Sequence, residues 1–109
     1  MLLFFFLGFT ISRDIKFDSE TGLLTVTCED GEALENEYIS NYKTANAVKV
    51  TKCSIYTSAF SGFNALQSAE FDEVSFVKSY PEDNPYDYIV FFKDSQNVKL
   101  TMKVSFINE

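Results

Sequence analysis

The chain contains no histidine and no tryptophan, and it has only two cysteines, two prolines and four glycines in 109 residues. Without histidine it lacks the usual general base, the usual nitrogen ligand of zinc, and the imidazole of a Ser-His-Asp or Cys-His relay. These absences exclude most hydrolase mechanisms, and we expect neither catalysis nor a cofactor nor a metal. The scarcity of proline and glycine excludes a low-complexity linker.

Positive charge is also scarce, because nine Lys and Arg residues face sixteen Asp and Glu residues, for a net charge of −7. This is the wrong sign for neutralising nucleic-acid phosphates or anionic lipid, so nucleic-acid binding is not expected. The chain is 46% hydrophobic and 17% aromatic, which supplies core material for one small domain over residues 13–109.

The chain begins with an uncharged apolar run, MLLFFFLGFTI, and its first charged residue is Arg13. Eleven helical residues rising about 1.5 Å each would cover only about half of a roughly 30 Å hydrocarbon layer, so no spanning segment is expected. The pattern predicts a signal peptide over residues 1–12, with Thr10 and Ser12 as the small residues before a cut at Arg13. A secreted or cell-surface protein follows from it. The alternative is a buried N-terminal strand, since no Lys or Arg precedes the run.

Cys28 and Cys53 are the only thiols. In an oxidising compartment they could form one disulfide, which would stabilise a small domain by roughly 3 kcal/mol. Two separate buried thiols are the alternative.

Residues 13–44 read as a β-hairpin followed by a short helix. Two alternating runs, Asp14–Asp18 and Leu23–Cys28, flank the turn-rich Ser19–Gly22. Leu34, Tyr38 and Tyr42 recur four residues apart behind an acidic stretch, which predicts an amphipathic helix beginning near Asp30.

A regular period begins at Ala45. The pattern Ala45-x-x-Val48-x-Val50 recurs as Leu66-x-x-Ala69-x-Phe71 and as Asp87-x-x-Val90-x-Phe92. Each step spans about 21 residues, and repeats of roughly 20–29 residues stack short strands because one unit cannot bury its own apolar face. Residues 45–80 are therefore predicted to be repeat-like, and the stripe Lys49, Glu70 and Phe91 is predicted to face solvent and contact a partner. The alternative for Phe91 is that it packs under the terminal hairpin.

The last third of the chain reads as a loop and a strand pair. Two prolines break the segment 80–86, whose Tyr80 and Tyr86 are further candidates for partner contact. Val98–Phe106 alternates apolar and polar residues and pairs naturally with Tyr88–Phe92, which predicts a terminal β-hairpin over residues 86–107.

The segment Ile55–Phe71 resembles the BspA-like leucine-rich repeat (Treponema-type), whose units follow I-x-x-x-A-F-x-x-C-x-x-L-x-x-V-x-I. The matching positions are Ile55, Ala59, Phe60, Phe63, Leu66, Ala69 and Phe71, with Phe63 at the usual Cys position. The stretch Ile15–Val26 looks like the hairpin that precedes such repeats. The resemblance covers about residues 14–77, and it departs at Tyr80-Pro81, where the Ala-Phe pair does not recur.

The resemblance implies an α+β, β-rich fold, in which the hairpin and helix lead into a short solenoid closed by the terminal hairpin. It also implies adhesion: binding to a host or matrix protein or to another cell-surface protein, with no catalytic residues. The alternative is a small antiparallel β-sandwich acting as an accessory or ligand-binding module. An uncapped strand edge in the repeat region would in addition favour self-association.

Overall fold

The computed structural model of the chain describes residues 13–84, 88–103 and 105–107 and is dominated by one mixed β-sheet of seven strands. The predicted leader, residues 1–12, lies outside the described residues. The strands are β1 (Asp14–Asp18), β2 (Leu23–Leu34), β3 (Ala47–Tyr56), β4 (Ser68–Asp72), β5 (Val74–Val77), β6 (Lys99–Met102) and β7 (Ser105–Ile107). The described residues also form a short α-helix, α1 (Asn36–Ile39), which runs into a 3-10 turn at Ser40–Tyr42, and a second 3-10 turn at Tyr88–Phe92.

The N-terminal hairpin forms as predicted, with β1 antiparallel to β2 and Asp18 paired with Leu23 next to the turn. The Asp18 carboxylate accepts the N–H of Glu20, and Gly22 takes a φ of 78° and donates its N–H to the Asp18 carbonyl. Glycine suits this place because it adopts positive φ without a Cβ penalty.

The remaining strand pairs are parallel, and they form two neighbouring rows. One row is β2, β3, β4 and β6, in which Leu24, Val48, Ala69 and Leu100 are successive register partners. The other row places Leu34 beside Ile55, Ile55 beside Phe76, and Phe76 beside Ile107. Because every described strand pair except β1 with β2 is parallel and all belong to one sheet, the antiparallel sandwich is wrong.

The register is interrupted between the two halves of β2, and the disulfide lies at that point. Thr27 pairs with Thr51 and Glu32 pairs with Cys53, so residues 28–31 lie opposite Lys52 alone. The structure joins Cys28 to Cys53, whose Cα atoms are 5.0 Å apart. The disulfide therefore ties the bulge of β2 to β3.

The core is apolar and rich in phenylalanine. Phe71 lies within 6.4 Å of the rings of Phe60, Phe76, Phe91 and Phe92, measured between ring centroids. Each of these five side chains is at most 6% exposed. Such ring pairs add stabilisation beyond the area they bury.

The amphipathic helix is shorter than predicted and begins later. Residues 29–34, assigned to it from the acidic stretch, belong to β2, and α1 begins only at Asn36. Leu34 is fully buried as a strand residue and pairs with Ile55. Burial of Leu34 in the parallel row outweighs the four-residue spacing that predicted a helix.

The predicted terminal hairpin is wrong. Tyr88–Phe92 is a 3-10 turn and not a strand, and β6 pairs with β4 in parallel. The predicted third copy of the repeat is therefore wrong, because the register partner of Ala69 in the next strand of the row is Leu100 and not Val90. The spacing from β4 to β6 exceeds the period because the chain between β5 and β6 is longer than the chain between β3 and β4.

Candidate interaction surface

One face of the sheet points away from the core and carries fifteen side chains in three rows. Register partners share a face of a sheet, and alternate residues along a strand share it too. The rows are Asp18, Leu23, Ala47, Ser68 and Lys99; Lys16, Thr25, Lys49, Glu70 and Thr101; and Asp14, Thr27, Thr51, Asp72 and Lys103. Lys103, which follows β6, donates its N–H to the Phe71 carbonyl and so continues the third row. We call these fifteen side chains the outer face.

The outer face is electrically neutral in a strongly acidic protein. It contains four acidic and four basic side chains, so the net charge of −7 is carried by the rest of the chain. Its other members are five Thr or Ser residues, Ala47 and Leu23. The Leu23 side chain is 36% exposed. The outer face is therefore polar, with ion pairs between Lys16 and Asp14 and between Lys103 and Glu70.

Lys49 and Glu70, two of the predicted contact residues, are direct register partners in the middle row of the outer face. Lys49 is exposed and Glu70 half-buried, and a Glu70 carboxylate oxygen lies 3.2 Å from Nζ of Lys103. A depression on this face is lined by both side chains together with Leu23, Ala47, Ser68, Lys99 and Thr101. The structure thus brings these two predicted residues together.

The prediction for Phe91 is wrong. Its side chain is 1% exposed, and its ring centroid lies 4.9 Å from that of Phe76. The place assigned to it in the stripe is occupied by Thr101, the register partner of Glu70. Phe91 belongs to the core because the 3-10 turn directs it toward the aromatic cluster.

Tyr80, another predicted contact residue, lies after β5 and is not one of the outer-face side chains. Tyr80 is 54% exposed, and its N–H is donated to the Asp83 carboxylate, which also accepts the Thr57 hydroxyl. A small pocket beside it is lined by Thr57, Ser58, Ser61, Tyr80, Val90, Phe91 and Lys93. Tyr86 lies outside the described residues.

The outer face contains residues that the sequence prediction missed, above all Thr101, Lys99 and Lys103 at the last strand of the row. The sequence signal that identifies them is a shift along the chain longer than the regular period. This longer shift aligns Glu70 with Thr101, and it also aligns the pair Ala59-Phe60 with Val90-Phe91. Allowing one insertion in the period would have placed the last strand in the row.

Within the part of the chain that the structure describes, no group of three or more His, Cys, Asp or Glu side chains is arranged to hold a metal ion. None of the described helices has the length and apolar character needed to cross a membrane. Comparisons with protein-family models, curated proteins and solved structures found no match.

Proposed function

We propose that this chain is a secreted or cell-surface domain that binds a protein partner through its outer face. We further propose that its fold is a short solenoid of BspA-like leucine-rich repeats. The proposal assigns no catalysis to the chain. The observation that carries it is the continuous polar outer face across five strands, backed by an apolar core.

Burial of the motif residues supports the repeat assignment. All seven side chains at the consensus positions between Ile55 and Phe71 are at most 3% exposed. Consensus positions in a repeat are the ones that fill the core shared by neighbouring units. The motif in this chain therefore has the burial pattern that a stacked repeat requires.

The same burial pattern occurs one unit earlier. Ala69 and its register partner Val48 are one repeat apart in the sequence. The same shift moves four other motif residues, Ile55, Phe60, Leu66 and Phe71, back onto Leu34, Ile39, Ala45 and Val50. Each of the latter four side chains is at most 1% exposed. The longer displacement from Ala69 to Leu100 carries Ala59 and Phe60 to half-buried Val90 and buried Phe91. The repeat proposal thus accounts for the buried residues of three successive units with one spacing and one insertion between the last two units.

The disulfide supports the secreted or surface-exposed compartment. Disulfides form and persist mainly in oxidising environments, and small secreted domains rely on them when their core is thin. The Cys28–Cys53 disulfide agrees with the predicted leader in pointing to export.

The binding proposal is tested by reversing one charge in the centre of the outer face. We expect Lys49→Glu to weaken adhesion of the chain to intact cells of its source and to immobilised extracellular-matrix proteins by at least about tenfold. An acidic partner group attracted by Lys49 would face a like charge in the variant, at a cost over about 1 kcal/mol. The measurement is surface plasmon resonance on the matrix proteins and flow cytometry on the cells.

The matched control is Lys78→Glu, which makes the same charge change at an exposed residue just after β5 and off the outer face. It is expected to retain binding. Equal loss in both variants would show that net charge alone governs adhesion, and unchanged binding of Lys49→Glu would remove the outer face as the contact surface.

A further inference from the structure

The strands at the two ends of the order β1-β2-β3-β4-β6 have complementary side chains. Within the described residues, β1 pairs only with β2, and β6 pairs only with β4, so each has one edge without a strand neighbour. Unpaired sheet edges are templates for pairing with another chain. The side chains along each edge then determine which strand it accepts.

The outward side chains of the two edges match in charge. Along β1 they are Asp14, Lys16 and Asp18, and along β6 and the residue after it they are Lys99, Thr101 and Lys103. A strand laid antiparallel with Lys16 opposite Thr101 places Asp14 opposite Lys103 and Asp18 opposite Lys99. Both terminal pairs then join opposite charges, which is favourable for directly opposed cross-strand residues.

The apolar side chains agree with the same register. Ile15 and Phe17 of β1 and Leu100 and Met102 of β6 are all half-buried and pack at the margin of the core. In the antiparallel register above, Ile15 lies opposite Met102 and Phe17 lies opposite Leu100. Pairing would bury apolar surface that these four side chains still expose at both ends of the core.

The backbone hydrogen-bonding groups agree as well. The N–H groups of Lys99 and Lys103 are donated to carbonyls of Gln67 and Phe71 beside β4. By alternation, Leu100 and Met102 direct their backbone groups to the open edge.

On β1 the Asp18 carbonyl points toward β2, where it accepts the Gly22 N–H. Alternation along the strand then directs the backbone groups of Ile15 and Phe17 to the open edge. In the register above, the residues with edge-facing groups are directly opposed, as an antiparallel ladder requires.

We propose that this chain associates head to tail with copies of itself, with β1 of one copy adding antiparallel to β6 of the next. Antiparallel pairing of β1 with β6 continues the sheet from one copy to the next. Since β6 runs parallel to β2 and β1 runs antiparallel to β2, this pairing keeps the parallel strands of both copies in one direction. Such a heterologous contact leaves one edge free at each end, so association gives a filament or closes into a ring. This inference does not depend on the outer face binding a protein partner.

The test uses charge reversal on both edges of the full 109-residue chain, measured by sedimentation velocity across a concentration series. Asp14→Lys and Lys103→Asp each replace an opposite-charge pair with a like-charge pair, and each is expected to weaken association by roughly tenfold. Both side chains are more than half exposed, at 60% and 55%, so the substitutions do not disturb the core. Asp18 is not used, because its carboxylate holds the hairpin turn.

The double variant Asp14→Lys/Lys103→Asp is expected to recover the wild-type association, as is an equimolar mixture of the two single variants. The double variant also separates contact between copies from effects within one copy, because it retains any internal repulsion of Lys103→Asp with Glu70 and of Asp14→Lys with Lys16. The matched control is Lys78→Asp, a charge reversal at an exposed residue just after β5 and on neither edge strand, which is expected to leave association unchanged.

Three results would overturn the proposal. The first is a wild-type chain that stays monomeric throughout the series. The second is a double variant that associates no better than the single variants. The third is association that no edge variant changes, which would assign it to another part of the chain such as the apolar run before Ser12.

Discussion

Lys52 and Glu73 show how single residues shape the sheet in this protein. Both take left-handed backbone conformations, with φ of 62° and 55°, and they occupy equivalent places between paired segments that keep one register. Left-handed φ is uncommon for non-glycine residues. Recurrence at the same register shows that neighbouring strands bend at the same place, so that the ladder of backbone hydrogen bonds continues on either side of the bend.

Gly22 gives the sharpest prediction at the residue scale. A Cβ added at Gly22 would lie 2.5 Å from Nδ2 of Asn46, whereas one added at Gly31 would meet nothing closer than 3.9 Å. Both glycines have positive φ, 78° and 87°, so alanine is strained by about 1–2 kcal/mol at either place. We expect Gly31→Ala to lose about that amount of unfolding free energy and Gly22→Ala to lose more, measured by urea unfolding. Equal losses would show that Asn46 moves aside without cost.

At the scale of elements, contacts between neighbouring turns hold the parallel strands in place. Asn36, at the start of α1, donates its side-chain amide to the carbonyls of Ala59 and Ser61, both at 2.9 Å. Ser58 and Ser79 bond through their hydroxyls, and Ser95 receives the N–H of Leu66. Each of these bonds joins a turn to the turn of the next strand, so the turns stack in step with the sheet.

The disulfide between β2 and β3 is expected to stabilise the fold by about 3 kcal/mol, because it joins residues with a sequence separation of 25 and restricts the unfolded chain. We expect Cys28→Ala/Cys53→Ala to lose about this much unfolding free energy, measured in guanidinium. Reduced wild-type chain should match the variant, and reductant should not alter the variant. A wild-type chain equally stable with and without reductant would contradict the prediction.

At the scale of the whole molecule, charge is distributed unevenly between surfaces. The outer face is neutral, while the excess of acidic residues lies elsewhere, with Glu35 and Glu37 at the start of α1 and Glu29 in β2. Negative charge away from a neutral face favours solubility without repelling a partner that approaches the face. This separation agrees with the proposed role as a protein-binding domain.

Export is tested on the whole molecule by protease treatment of intact cells of the source, followed by mass spectrometry of the released peptides. We expect peptides from residues 13–109, including one that begins near Arg13, because the run before it has the pattern of a cleaved leader. Peptides that appear only after lysis, together with retained Met1, would contradict the prediction and remove a main support of the adhesion proposal.

Short-range pattern in the sequence is enough to specify the hairpin around Gly22 and the stacking of Ala47–Tyr56 on Ser68–Asp72. Local turn chemistry specifies the first, and a regular period with buried Val48 and Ala69 specifies the second. The same period singles out Lys49 and Glu70 as neighbours on one face. These features can be predicted without tertiary contacts, because each depends on the order and spacing of nearby residues.

Long-range packing, by contrast, determined three features: the pairing of the last strand of the row, the length of α1 and the burial of Phe91. Lys99–Met102 alternates apolar and polar residues as any half-buried strand would. It pairs with β4, where it extends the core, and not with the segment nearest in sequence. The same holds for Leu34 and Phe91, which are buried against residues distant in the chain. Burial against distant partners outweighs local spacing wherever the two compete, because removing a large apolar side chain from water is worth about 1.5–3 kcal/mol and helix propensity differs by only a few tenths per residue.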